Sequence, residues 1–155
     1  MKSIRKNVFE TNSSSTHSLC ITSNNLLDEK QNFVSFQLGE FGWEHDKLSS
    51  VEEKASYLYT GIMYNDLDKR LLPKLKEILD KNEIKYEFES DDSDFYYIDH
   101  AEELDDFLKD ICNDENKLMR FLFSSESFIL TGNDNSSLSV DINVDYDHEE
   151  YYKGN

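Results

Sequence analysis

The chain has 155 residues, 37% hydrophobic and 13% aromatic, with a single proline and five glycines. That is the size of one ordinary domain with enough apolar material for a packed core, and it excludes collagen-like, low-complexity and disordered classes. The net charge of −17 opposes phosphate-rich ligands such as nucleic acids and favours basic surfaces.

That charge is unevenly placed. Residues 1–86 hold 13 acids and 12 bases, net −1, whereas residues 87–155 hold 20 acids and 4 bases, net −16. The second half is therefore not expected to bind nucleic acid directly, and a basic protein groove is its natural partner. The plainer alternative is a solvated face that only keeps the chain soluble. Apolar runs such as Phe121–Leu122–Phe123 fall far short of the ~20 residues of a membrane span. The start, "MKSIRKNVFE", has no apolar segment of a secretory signal. Cys20 and Cys112 are far apart, fit no metal or redox spacing, and read as small core residues. Together these features describe a soluble cytoplasmic protein with no membrane partner.

In chain order, the first feature is "FETNSSSTHSLCI" at 9–21. Its polar run precedes an alternating strand at 17–23, where His17, Leu19 and Ile21 oppose Ser18, Cys20 and Thr22. Leu19 and Ile21 against Cys20 make a two-faced strand, expected to lie inside a sheet. The polar run has two readings. Asn12, Ser13, Ser14, Ser15 and Thr16 can satisfy the backbone locally through Asx and Ser/Thr turns. Alternatively they form a polar pocket for phosphate or carboxylate oxygens. Glu10 and His17 are then the weak catalytic candidates, since a carboxylate and an imidazole can exchange protons near neutral pH. No G-x-S-x-G, phosphate-binding loop, dinucleotide fingerprint or H-E-x-x-H is present.

"FVSFQL" at 33–38 reads as a second strand, and "GEFGWEHD" as a loop. Ser49 or Ser50, with Glu52 or Glu53 three residues on, has the spacing of a capping box. Val51, Ala55, Leu58, Tyr59 and Ile62 then form one helical stripe. Asn65 and Asp66 break that helix. The next apolar set is Leu71, Leu75, Ile78 and Leu79, with Pro73 expected to delay or kink the helix. Asn82 is a candidate left-handed cap.

"IKYEFES" and "FYYI" (95–98) read as strands around a polar turn. "HAEELDDFLKDICND" is a strongly amphipathic helix with Leu104, Phe107, Leu108 and Ile111 inward, preceded by Asp99 as a simple N-cap. "ENKLMRFLF" follows as a short helix. "SFILTG" and "LSVDINVDY" are strands joined by "NDNSS", with Leu138, Val140, Ile142 and Val144 on a buried face. Residues 147–155 show no apolar period and are expected to fray. The order gives one α+β domain over 1–155, a mostly antiparallel sheet with three to four helices packed against it.

Two further groups bear on function. Asn133, Asp134 and Asn135 suit a hairpin loop, or else close the polar pocket. Glu102, Glu103, Asp105, Asp106 and Asp110 occupy the polar face of the amphipathic helix. Asp91, Asp92, Asp94 and Tyr96 set carboxylates beside a phenol, a combination suited to Arg and Lys on a partner. His17, His45, His100 and His148 have no ligand spacing, so neither a metal nor a cofactor is expected.

The segments "IRKNVFETNSSSTHSLCI", "KASYLYTGIMYND", "YIDHAEEL" and "RFLFSSESFILTGNDNSS" resemble a group of small proteins from phages, prophages and Gram-positive bacteria. "VFETNSSSTHS" is the most specific of these stretches. The resemblance spans nearly the whole chain, implies a mobile-element origin and assigns no activity or catalytic residue. The expectation is an acidic binding protein, more a binder than an enzyme. It would inhibit a host nucleic-acid-handling defence complex, such as a CRISPR effector or another nuclease, in the host cytoplasm. The alternatives are a nucleotide or phosphate-ester binder or hydrolase built on Glu10–His17, and a non-catalytic phage accessory protein. The oligomeric state stays open.

Overall fold

The computed structural model describes residues 15–41, 46–65, 70–90, 96–98, 104–133 and 149–154. The first strand, β1 (Ser15–Thr22), is one of the two inner strands of a four-stranded antiparallel sheet. One neighbour is β7 (Phe128–Asn133), which carries β4 (Asp46–Leu48) on its far edge; the other is β8 (Glu149–Gly154). Leu19, Cys20, Ile21 and Thr22 are all buried, so the middle of β1 is covered on both faces, as its two-faced pattern predicts.

Two short parallel pairs complete the described strands. β2 (Phe33–Phe36) pairs with β5 (Lys85–Phe88), and β3 (Glu40–Phe41) with β6 (Tyr97–Ile98). Short turns between neighbouring strands would have made these antiparallel. Two helices intervene between β2 and β5 instead, and a long crossover is what parallel pairing needs. The segment read as a loop at 39–46 contributes β3 and the start of β4. The tail expected to fray supplies β8, from Thr22↔Glu149 to His17↔Gly154. A missing apolar period says nothing about backbone hydrogen bonding, and the second edge of β1 offers a full ladder to Tyr151 and Tyr152, which suit a strand. The expected strand at 138–146 lies outside the described residues.

Among the described residues there are four helices: α1 (Val51–Asn65), α2 (Leu71–Lys81), α3 (Asp105–Cys112) and α4 (Glu115–Phe123). α1 begins in a complete capping box. Ser50 Oγ accepts from Glu53 N at 3.1 Å, and Glu53 Oε1 accepts from Ser50 N at 3.2 Å. The stripe Val51, Ala55, Leu58, Tyr59 and Ile62 is buried, and so are Lys54, Tyr57 and Thr60. α1 is therefore the central helix, enclosed nearly all round. It touches β2, β6, α2, α3 and α4. Gly61 lets α3 approach, since a Cβ there would meet Leu108 Cδ2 at 3.2 Å.

Pro73 falls in the first turn of α2, where its missing N–H costs no helical bond. Asn82 is not left-handed, with φ −98°. The following Glu83 takes that conformation, φ 59°. Asn82 instead turns its side-chain amide back onto Ile78 O at 2.8 Å, so the helix end is closed by a side chain and the reversal moves one residue on. Leu104, Phe107, Leu108 and Ile111 are buried against α1 and α4, with Phe107 and Phe121 meeting edge to face.

Leu108→Ala is expected to cost about 2–5 kcal/mol, the range for truncating a buried leucine. Chemical denaturation measures it, and a loss under about 1 kcal/mol would show that the α1–α3 contact collapses around the gap.

Candidate functional site

The polar run and the β7 end meet in the sheet. Ser15 lies in register with Asn133, Thr16 with Gly132 and His17 with Thr131. Asp46 pairs with Thr131 from the other side, so Asp46, Thr131 and His17 form one cross-strand row. That row lies two residues along from Leu48, Ile129 and Leu19, all buried. Thr131 is itself buried. The pairing brings four of the ten expected residues, Ser15, Thr16, His17 and Asn133, to one end of the sheet. Glu10, Asn12, Ser13, Ser14, Asp134 and Asn135 lie outside the described residues.

The acidic surface is partly described. On α3, burial separates Phe107, Leu108, Ile111 and Cys112 from the exposed Asp105, Asp106, Lys109 and Asp110. Asp105 and Asp106 occupy the first turn, where the helix dipole favours carboxylates. Lys109 reaches Asp105 at 3.7 Å across solvent, a pair that contributes little. Asp114 adds a fourth exposed acid as the N-cap of α4, accepting from Lys117 N at 3.1 Å. Tyr96 is half-buried and meets Tyr64 edge to face. Asp91, Asp92, Asp94, Glu102 and Glu103 lie outside the described residues. Among the described residues, no group of three or more His, Cys, Asp or Glu is arranged to hold a metal ion. No described helix is long and apolar enough to cross a membrane.

The most unusual buried group is Lys54, which the sequence reading passed over. Its signal was present: Lys54 stands three residues after Val51 and four before Leu58, inside the apolar stripe. The side chain is fully buried. Its ammonium donates to Ser124 O at 2.7 Å and Ser127 O at 3.0 Å, at the negative end of the α4 dipole. The same turn binds the end of β1. Ser127 Oγ accepts from Thr22 N at 3.0 Å and donates to Arg120 O at 2.9 Å, while Arg120 Nε donates to Thr22 O at 2.8 Å. Asp28 accepts from both Ser125 N and Ser125 Oγ, at 2.9 and 2.5 Å. The Ser125 hydroxyl holds the Asp28 carboxyl below the usual range.

Burial pulls the Lys54 ammonium down from 10.5 to about 8, against the opposing charges of Glu29 and Asp28. Burial pushes Tyr57 the other way, well above 10. Lys54 and Tyr57 are both fully buried side chains of α1, and the Lys54 ammonium is bound to two backbone carbonyls.

No protein-family model, curated protein or solved structure matches the chain.

The buried Lys54 makes stability depend on pH. Below about 8 the fold carries a buried ammonium; between about 8 and 10.5 the folded chain has released that proton and the unfolded chain still holds it. Stability should thus rise through that window. It should fall again above about 10, where unfolded tyrosine ionises and Tyr57 cannot. Urea titrations across the alkaline range should show the rise in the wild type and its absence in Lys54→Met. At neutral pH that variant should lose about 2–4 kcal/mol, because two buried carbonyls lose their donor.

Proposed function

We propose that the chain is an acidic binding protein of phage or mobile-element origin that inhibits a host nucleic-acid-handling defence complex. It would do so by presenting α3 to a basic groove of a nuclease, the CRISPR-effector type included. The observation that carries this reading is the solvent face of α3. Asp105, Asp106 and Asp110 stand together on the side opposite the buried Phe107, Leu108 and Ile111, in a half-chain of net −16. A groove built to hold phosphates would meet exposed carboxylates there. Long-range attraction would speed encounter, and side-chain pairing would set the register. The resemblance of "VFETNSSSTHS" to phage and prophage proteins supports the origin.

A second reading draws on the sheet register. Ser15, His17, Thr131 and Asn133 are neighbours across β1 and β7, as a small-ligand site using the polar run requires. His17→Ala separates the two readings. Under the second it abolishes function at unchanged stability; under the first it leaves partner binding intact.

The first reading is tested by the triple variant Asp105→Lys, Asp106→Lys, Asp110→Lys, titrated against candidate nucleases at low and high salt. The wild type should associate fast at low salt and lose affinity as salt rises, because exposed charges are screened within ~8 Å at physiological ionic strength. The variant should bind more weakly, mainly through its on-rate, with its thermal transition close to that of the wild type. Equal affinity of both proteins at both salt concentrations would reduce the acidic face to a solubility device.

A further inference from the structure

A cleft of about 440 Å³ opens beside the start of α1. Phe41 and Leu48 supply its apolar lining, and Ser35, Glu52, Glu53 and Ser56 its polar lining. Three separate chain segments thus converge on it. Ligand pockets begin near ~300 Å³, so the space accepts one long side chain with its neighbouring backbone.

The chemistry of the lining is one-sided. Among the described residues, none lining the cleft is basic. The flanking lysines are engaged elsewhere: Lys47 lies over the Phe128 ring at 4.9 Å, and Lys54 is tied to Ser124 and Ser127. Glu53 Oε1 is fixed by three donors, Ser49 N, Ser50 N and Ser50 Oγ, at 3.2, 3.2 and 3.1 Å. Glu52 Oε2 is steadied by the Gln31 amide, which reaches it at 3.1 Å when oriented to donate. Ser56 Oγ accepts from Gln37 N at 3.1 Å. Each carboxylate therefore has one oxygen held, and among the described residues no donor meets the other. The Phe41 ring is set edge to face against Tyr57, 5.3 Å between centroids.

An anion finds no place here, even at a helix N-terminus. Ser50 and Glu53 already cap the first turn, and two glutamates repel negative charge. A cation fits. An aromatic ring, an apolar patch and adjoining carboxylates match a side chain with an aliphatic stem and a charged planar head. Guanidinium suits them better than ammonium, because it stacks on a ring while donating to two carboxylate oxygens.

We propose that this cleft is a socket for an arginine side chain of the basic partner. The socket rests on the binding reading above and adds an anchoring point to the steering supplied by α3.

The test is a ¹⁵N–¹H NMR titration of the full chain with N-acetyl-arginine-methylamide. The citrulline counterpart, which keeps the shape and loses the charge, and the lysine counterpart run beside it. Saturable shifts are expected at the amides of Gln37, Phe41, Glu52 and Ser56. Citrulline should bind about tenfold more weakly, lysine measurably more weakly than arginine, and Glu52→Gln should weaken arginine about threefold. Absence of saturable shifts at these amides, or citrulline binding as well as arginine, overturns the proposal. Lysine equal to arginine overturns the arginine assignment. The citrulline comparison uses the unaltered chain and so does not depend on how any variant folds. No partner protein is involved. Arginine shifts that persist when the α3 variant binds nucleases normally would fail the inhibitor reading alone; their absence while that variant binds weakly would fail the socket alone.

Discussion

A buried ammonium cannot be left without acceptors, and that constraint organises this fold. Lys54 sits inside the central helix α1, and among the described residues its ammonium donates to the carbonyls of Ser124 and Ser127, with the charges of Glu29 and Asp28 adding support. α1 is thereby fixed along its axis against the end of α4. Ser127 and Arg120 then tie that end to the last residue of β1. The loop after β1 closes over the same turn, through Asp28 on Ser125 and Glu29 N on Phe123 O at 2.8 Å. Helix, strand and loop thus share one polar anchor set in a largely apolar interior. Apolar packing alone would tolerate small slides of α1; paired hydrogen bonds to a charge do not.

The α+β class could be read from the sequence because its helices carry local signals. A capping box at Ser50 and Glu53, a proline in the first turn of α2, and an apolar stripe on α3 each state their own boundaries. The strands were harder to pair. β2 with β5 and β3 with β6 are parallel, and parallel pairing is decided by packing across a crossover rather than by a turn. β8 has no apolar rhythm, since its place depends on the open edge of β1. Lys54 was visible as a cation at a core position, but a lysine on a helix normally reads as surface.

The candidate residues divide in the same way. Charge is additive along a chain, so the acidic bias of the second half is evident by counting, and the exposed face of α3 follows from its period. The meeting of Ser15 with Asn133 is a matter of register over more than 100 positions, which no local pattern encodes. The cleft at α1 was hidden for another reason. Glu52 and Glu53 are ordinary first-turn residues, and their capping role fully accounts for them until Phe41 and Ser35 are brought alongside.

The position of β1 has a consequence for how the chain is made. Its two partners, β7 and β8, both lie more than 100 residues downstream. As the chain leaves the ribosome, β1 emerges early with two unpaired edges and with Leu19 and Ile21 uncovered. It must wait in that state while the helices form behind it. Such a segment is a template for pairing with other nascent chains. The hydroxyl-bearing residues Ser15, Thr16 and Ser18 interrupt its apolar character, and polar interruptions of a strand lower its tendency to pair with other chains. A stretch that invites a functional explanation in the finished protein thus has a second physical use before the protein is finished.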